Sequence, residues 1–178
     1  MTVPERYRVP IVALVALVLV VAVGGAILLV GGGAPASSSS PSASAVPSPI
    51  DPGATPESAV RAFFAAFAGA RKTDEPTTVL PFVTSTNSSA YLSAAGFLNG
   101  EKAVNKASVT TVLQLTDLQV AQSGTSASVS FDYIEGGYDI NPTTGQALET
   151  PMVLPPAKVI AIVKEVDGRW LVDSYQSQ

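Results

Sequence analysis

The chain has no cysteine and no histidine among its 178 residues. The first absence excludes structural disulfides, thiolate nucleophiles and a lipid-modified cysteine anchor. The second removes imidazole bases, Ser-His-Asp and Cys-His arrangements, and zinc sites of the usual kind. It also leaves no side chain whose ordinary titration falls near neutral pH. Charge is scarce too: 13% of residues carry one, and none lies between Arg8 and Asp51. Basic clusters are missing, and after residue 33 eight Lys/Arg face thirteen Asp/Glu, so nucleic acid is not an expected partner. A mild acidic excess of this size serves solubility rather than a specific cationic ligand.

What fills the uncharged stretch is first a run of twenty residues, Ile11 to Val30, without a charged or strongly polar side chain (IVALVALVLVVAVGGAILLV). At about 1.5 Å rise per residue it would span roughly 30 Å as a helix, the thickness of a bilayer hydrocarbon core. It has no amphipathic stripe with which to join a soluble core, so the expected partner is the lipid bilayer, through residues 11–30. Arg6 and Arg8 precede the run and no charge follows it until Asp51, which puts the N-terminus inside and the remainder outside. The alternative is a cleaved secretory signal, with Ala34-Pro35-Ala36 as the small-residue site and a secreted product. Twenty residues exceed the roughly 7–15 of a signal h-region, which favours an uncleaved anchor.

From Gly31 to about Pro56 the chain is almost entirely Gly, Ala, Ser and Pro, with too little apolar side chain to offset the entropy of ordering the backbone. The expected organisation is therefore a cytoplasmic tail (1–10), a transmembrane helix (11–30), a linker (31–55) and one external domain (56–178), long enough for a single core.

Within that domain, helices precede strands. Thr55-Pro56-Glu57 offers an N-cap hydroxyl, a first-turn proline and an acid at the positive end of the dipole. Ala59, Val60, Phe63, Phe64 and Phe67 then recur at helical spacing to about Gly69. A short helix after Pro76, interrupted by Pro81, and another from Ser88 to Leu98 stopped by Asn99-Gly100 complete the helical half. Strands are expected over 108–121, 127–134, 157–166 and 169–175. The centre of the third, Val159 to Val163, has the apolar run of a strand covered on both faces. Asp167-Gly168 is a strong hairpin signal, and Glu135 to Pro156 reads as a long bent excursion turning around Asn141 to Gly145. The sum is α+β: helices packed on one face of a curved antiparallel sheet.

The opening helix from Pro56 to Ala68, the central strand and the closing Asp167-Gly168-Arg169-Trp170-Leu171-Val172-Asp173-Ser174-Tyr175 resemble the NTF2-like (cystatin-like cone) superfamily over most of residues 56–178. The resemblance implies a cone-shaped sheet with a pocket between it and the helices. Membrane-tethered members are common in high-GC Gram-positive bacteria, and an Ala/Val/Ser-rich chain suits such a source. No single activity is implied, because the superfamily mixes isomerases, hydrolases, dehydratases, scaffolds and secretion components.

The residues left for acid–base work are carboxylates and tyrosines. Some enzymes of the superfamily pair an aspartate base with a tyrosine donor, which makes Asp132 and Asp139 with Tyr133, Tyr138 and Tyr175 the catalytic alternative. Strand alternation turns Asp132 away from Val129, Phe131 and Tyr133, and Asp139 lies in the Gly-rich excursion. As pocket candidates we take Phe63, Phe64, Tyr133 and Trp170, each with a core role as the simpler account. Asp139 to Gly145 resembles a calcium loop only in part: position six is Thr144 where glycine is required, and position twelve is Thr150 where glutamate is. No metal and no cofactor is expected. The reading is of a membrane-anchored binding or scaffolding domain, an accessory subunit of an envelope assembly meeting envelope proteins or a small ligand. The alternative is a histidine-free isomerase or dehydratase-like enzyme.

Overall fold

The computed structural model of the protein describes residues 52–178. The expected tail, transmembrane helix and linker as far as residue 51 lie outside the described residues. Among the described residues no helix is long and apolar enough to cross a membrane.

Helix α1 (Pro56–Ala70) starts where its chemistry predicts. Thr55 Oγ1 accepts from the Ser58 amide at 3.1 Å, and Ser58 Oγ accepts from the Thr55 amide at 2.9 Å. Each side chain thereby satisfies a donor the helix would leave unpaired. Just before it, Gly53 is pinned to the far end of the chain: its carbonyl accepts from the Trp170 amide at 2.8 Å. The chain then forms a 3-10 helix (Pro76–Phe82) with Val79 fully buried. Pro81 inside it has no N–H and its ring would strike an α-helical carbonyl four residues back, which keeps the turn short and tight.

Helix α2 (Ser89–Ala103) is capped by Ser88 Oγ, which accepts from the Tyr91 amide. The expected stop at Asn99-Gly100 is not one; the helix runs a further turn. Termination falls to Asn105, which takes the left-handed conformation at φ 54°, and the Lys106 amide returns to the Glu101 carbonyl at 3.0 Å. The extra turn matters, because it carries Glu101 to the sheet.

The strands β1 (Ala107–Ser123), β2 (Ser126–Ile140), β3 (Met152–Val153), β4 (Ala157–Val166) and β5 (Arg169–Ser177) form one antiparallel sheet in the order β1-β2-β4-β5, with β3 paired to the far half of β2. Register shifts in β1 between Thr110 and Val112 and between Thr116 and Gln119 bend the long β1–β2 hairpin, and Asp117 sits at φ 54° in the second. An extra residue on one strand kinks it and increases twist, which is how a sheet this long curves. The β4–β5 turn has Asp167 at φ 51° and Gly168 at φ 77°, the two positive values that a tight hairpin turn matched to strand twist requires.

The inner face of the sheet supplies Leu115, Ala127, Val129, Phe131, Val159, Ala161, Val163, Trp170 and Val172 to a core closed by Ala59, Val60, Phe63 and Phe64 of α1 and Ala90, Ala94 and Leu98 of α2. The expected two-sided cover of β4 is not found. Val159, Ala161 and Val163 are buried under the helices, while the alternating Ile160 and Ile162 are only half-buried on the other face.

Candidate functional site

Under the sheet the space is occupied by aromatic rings. Phe64 meets Phe131, Tyr133 and Tyr175 at centroid distances of 5.4, 5.1 and 5.4 Å, and Phe63 meets Phe64 and Tyr175 at 5.2 and 5.5 Å. Tilted and edge-on contacts of this kind are favourable beyond the area they bury. Of the pocket candidates, Phe63, Phe64 and Trp170 are buried parts of this core, and Tyr133 is partly buried against it.

At one end the aromatics give way to charge. Tyr133 Oη donates to Glu135 Oε2 at 2.7 Å, and Glu135 Oε1 is ion-paired with Arg71 Nη1. Arg71 is the C-cap of α1; its guanidinium carbon lies 4.7 Å from the centroid of the Phe97 ring on α2, and its Nε is 3.9 Å from Glu101 Oε2. Glu101 Oε1 contacts Ser108 Oγ, which also lies 2.9 Å from Asp139 Oδ1. Asp139 Oδ2 accepts from Lys106 Nζ at 2.7 Å. One continuous polar network therefore joins both helices to β1 and β2.

The electrostatics sort these groups. Burial pushes the Glu101 carboxyl up, aided by Asp74 and Asp139 and opposed by the Ser108 hydrogen bond and Arg71. Burial pushes Asp139 up as well, but the hydrogen bonds from Lys106 and Ser108 and the charges of Lys106 and Arg71 outweigh it and hold the group below its usual range. Burial pushes the Tyr133 phenol up to about 12, against a smaller downward pull from Arg71.

Asp132 is elsewhere. It alternates to the face opposite Phe131 and Tyr133, pairs with Lys158 at 2.6 Å, and lines an open hollow of about 230 Å³ with Asp117, Gln119 and Lys158. Asp139 belongs to strand β2, not to a solvated loop, and shares its face with Tyr133 and Glu135. Tyr138 and Asp139 border one small cleft of about 80 Å³ with Arg71 and Glu149, yet as neighbours on a strand they project to opposite faces. Asp139 and Tyr138 therefore do not converge on one point. Beyond Ile140, Asn141 Oδ1 accepts from the Thr143 and Thr144 amides at 2.9 and 3.1 Å, a side-chain-stabilised turn. Among the described residues no group of three or more acidic side chains is arranged to hold a metal ion.

Arg71, Glu101, Ser108 and Glu135 were not singled out by the sequence. For Glu135 a signal existed: the period-two pattern of Phe131 and Tyr133 continues to it and on to Asp139.

The network has a measurable pH signature. The Tyr133 phenol is held near 12 in the fold and returns to about 10 when unfolded. Its contribution to stability is therefore complete below about pH 10 and is lost as pH rises from about 10 to about 12. Denaturant unfolding across that window should show a steeper loss for the native chain than for Tyr133→Phe; equal slopes would refute the assignment. Some slope will remain in the variant, because burial also raises Tyr175.

No protein-family model matches the chain, and no curated protein matches it in sequence. Several of the solved structures similar to it are described as NTF2-like or cystatin-like fold proteins. One is an NTF2-like protein of unknown function from Shewanella oneidensis (10% identity, 69% of this chain and 98% of that one, TM-score 0.45). Another is an NTF2-like protein with a cystatin-like fold from Novosphingobium aromaticivorans (9%, 68% and 80%, TM-score 0.46). A third, of unknown function and also cystatin-like, comes from Nostoc punctiforme (10%, 68% and 88%, TM-score 0.43). These likenesses concern the path of the chain and carry no argument about activity.

Proposed function

We propose that the protein is a single-pass membrane protein whose NTF2-like domain, held outside the cell by residues 11–30 and the Ser/Pro/Ala-rich tether, binds or scaffolds other envelope components rather than catalysing a reaction. The reading rests chiefly on the filled interior. Phe63, Phe64, Phe131, Tyr133 and Tyr175 occupy the space in which an enzyme of this architecture would need an open cavity. The acids first in line for catalysis, Asp132 and Asp139, are each tied to a lysine.

Binding has a candidate surface. Leu148, Met152, Val153 and Leu154 are exposed by 50, 60, 57 and 48% on the segment around β3, and among the described residues the outer edge of β3 pairs with no strand. An exposed apolar strip beside an unpaired strand edge is the kind of surface that partners cover.

Because the chain lacks cysteine, one introduced at exposed Ser123 is a unique topological reporter. Ser123→Cys should react with a membrane-impermeant maleimide on intact cells and stay with the membrane fraction. Reaction only after permeabilisation, or recovery as a soluble secreted species, would overturn the topology. Cross-linking from the same membranes should capture a partner that the double variant Met152→Asp, Leu154→Asp loses. Undiminished capture by that variant would rule out the β3 surface.

A further inference from the structure

Ser108 Oγ faces two carboxylate oxygens, Oε1 of Glu101 and Oδ1 of Asp139. A serine hydroxyl has a single hydrogen and an ionised carboxylate has none. With both acids ionised, one of the two contacts would set lone pair against lone pair. Ser108 has little freedom to move away: it is 3% exposed, and its amide is fixed to the Arg71 carbonyl at 2.8 Å. One additional proton resolves the conflict, making Glu101 a donor to Ser108 Oγ while Ser108 donates to Asp139.

The surrounding charges decide which acid holds that proton. Asp139 has Lys106 Nζ at 2.7 Å, whereas the cation nearest Glu101, Arg71, stands 3.9 Å from Oε2 and is engaged with Glu135. The other charges that reach Glu101 are Asp74 in the turn after α1, itself buried with one oxygen unpartnered, and Lys106; Lys102 on α2 acts on Asp74, and Glu149 in the β2–β3 excursion acts on Lys106. Acids outnumber cations here, so a neutral Glu101 is the arrangement the cluster favours.

We propose that Glu101, Ser108 and Asp139 form a proton-holding relay, that Glu101 rather than Asp139 is the acid that holds the shared proton, and that its loss draws Arg71 from Glu135 toward Glu101. The balance is simple: one proton leaves the Glu101 carboxyl for solvent, no covalent bond other than that O–H breaks, and the guanidinium exchanges one carboxylate partner for another. The consequence reaches the surface. Arg71 lies over half-exposed Phe97, and Glu135 holds the Tyr133 hydroxyl at the edge of the aromatic interior. A chain without histidine thereby has a pH-responsive element made of a partly buried carboxyl pair bridged by a buried serine.

The test is a carbon-detected NMR titration of glutamate side chains in the full-length chain, held in detergent micelles, with the Arg71 Nε resonance followed in parallel. The Glu101 carboxyl carbon should titrate above the ordinary glutamate value of about 4.3, and Arg71 Nε should move with the same midpoint. In Glu101→Gln the amide can still donate to Ser108, so Arg71 should stay fixed across that window. In Asp139→Asn the repulsion is gone and Ser108 is free to donate to Glu101, so the Glu101 midpoint should fall, with burial still holding it above its ordinary value. A Glu101 midpoint at or below about 4.3, an Arg71 resonance that ignores it, or an unchanged midpoint in Asp139→Asn would each overturn the proposal. The last variant keeps the test decisive if Glu101→Gln does not fold.

Discussion

Phe63→Ala is expected to lower stability by about 3–5 kcal/mol, the cost of deleting a buried aromatic ring and leaving a cavity. The ring is fully buried and contacts Phe64, Phe67 and Tyr175 at centroid distances of 5.2, 6.3 and 5.5 Å. Helix α1 is itself held at its start by the Thr55–Ser58 capping pair, and its C-cap Arg71 is tied to Glu135, so it has little freedom to collapse into the space. The expected loss is a large share of the roughly 5–15 kcal/mol that a domain of this kind commands. Urea unfolding should show a much lower midpoint with an unchanged slope. A variant that unfolds at the native midpoint would instead make Phe63 the lining of a ligand pocket, and the domain interior would have to be reconsidered as a binding cavity.

Where local chemistry decides structure, the sequence was legible. The Thr55-Pro56-Glu57 start and the Asp167-Gly168 turn both occur where their side chains and backbone conformations require them. The helical spacing of Ala59, Val60, Phe63 and Phe64 translated directly into the buried face of α1. Legibility ended where distant elements decide. Asn99-Gly100 has the composition of a helix stop, yet α2 continues because its last turn is held by tertiary partners, Ser108 and Arg71, that no local pattern reveals. Likewise Gly136-Gly137 has the composition of a loop, yet these residues lie within β2 because strands on both sides press against them.

The same division holds for the site. Asp139 could be chosen as an acid of interest from residue type alone. Its partners could not, since Arg71, Glu101 and Ser108 come from the end of one helix, the end of another and the start of a strand. Only the folded register sets Ser108 opposite Asp139. The apolar strip at Leu148 to Leu154 was hidden for a different reason. Exposure of apolar side chains is a property of what fails to cover them, and composition does not record it.

Gly137→Ala is expected to be about as damaging as a core truncation, at about 3 kcal/mol or somewhat more, because the new atom would meet backbone that cannot yield. A Cβ built at Gly137 lies 2.2 Å from the carbonyl oxygen of Val109 on β1, far inside any tolerable contact. Relief would need β1 and β2 to part at Thr110–Gly137, close to the open end of a hairpin whose pairing runs from Ala107–Ile140 to Ser123–Ser126. It would also displace Asp139 and Glu135, two positions away on either side, and with them the contacts to Ser108 and Arg71. Gly136→Ala is the control. There the Cβ would lie 2.9 Å from the Met152 carbonyl oxygen and from Val153 Cγ2, both on the two-residue strand β3. So short a strand can move away, so a smaller cost of about 1 kcal/mol is expected, with β3 rather than the main hairpin giving way. Hydrogen exchange separates the two outcomes. Gly137→Ala should deprotect β1 and β2 amides along the hairpin, while Gly136→Ala should deprotect the Leu154 amide, which donates to the Glu135 carbonyl, and leave the hairpin intact. Equal effects from the two substitutions would mean that the close approach of β1 to Gly137 is not a constraint on the fold.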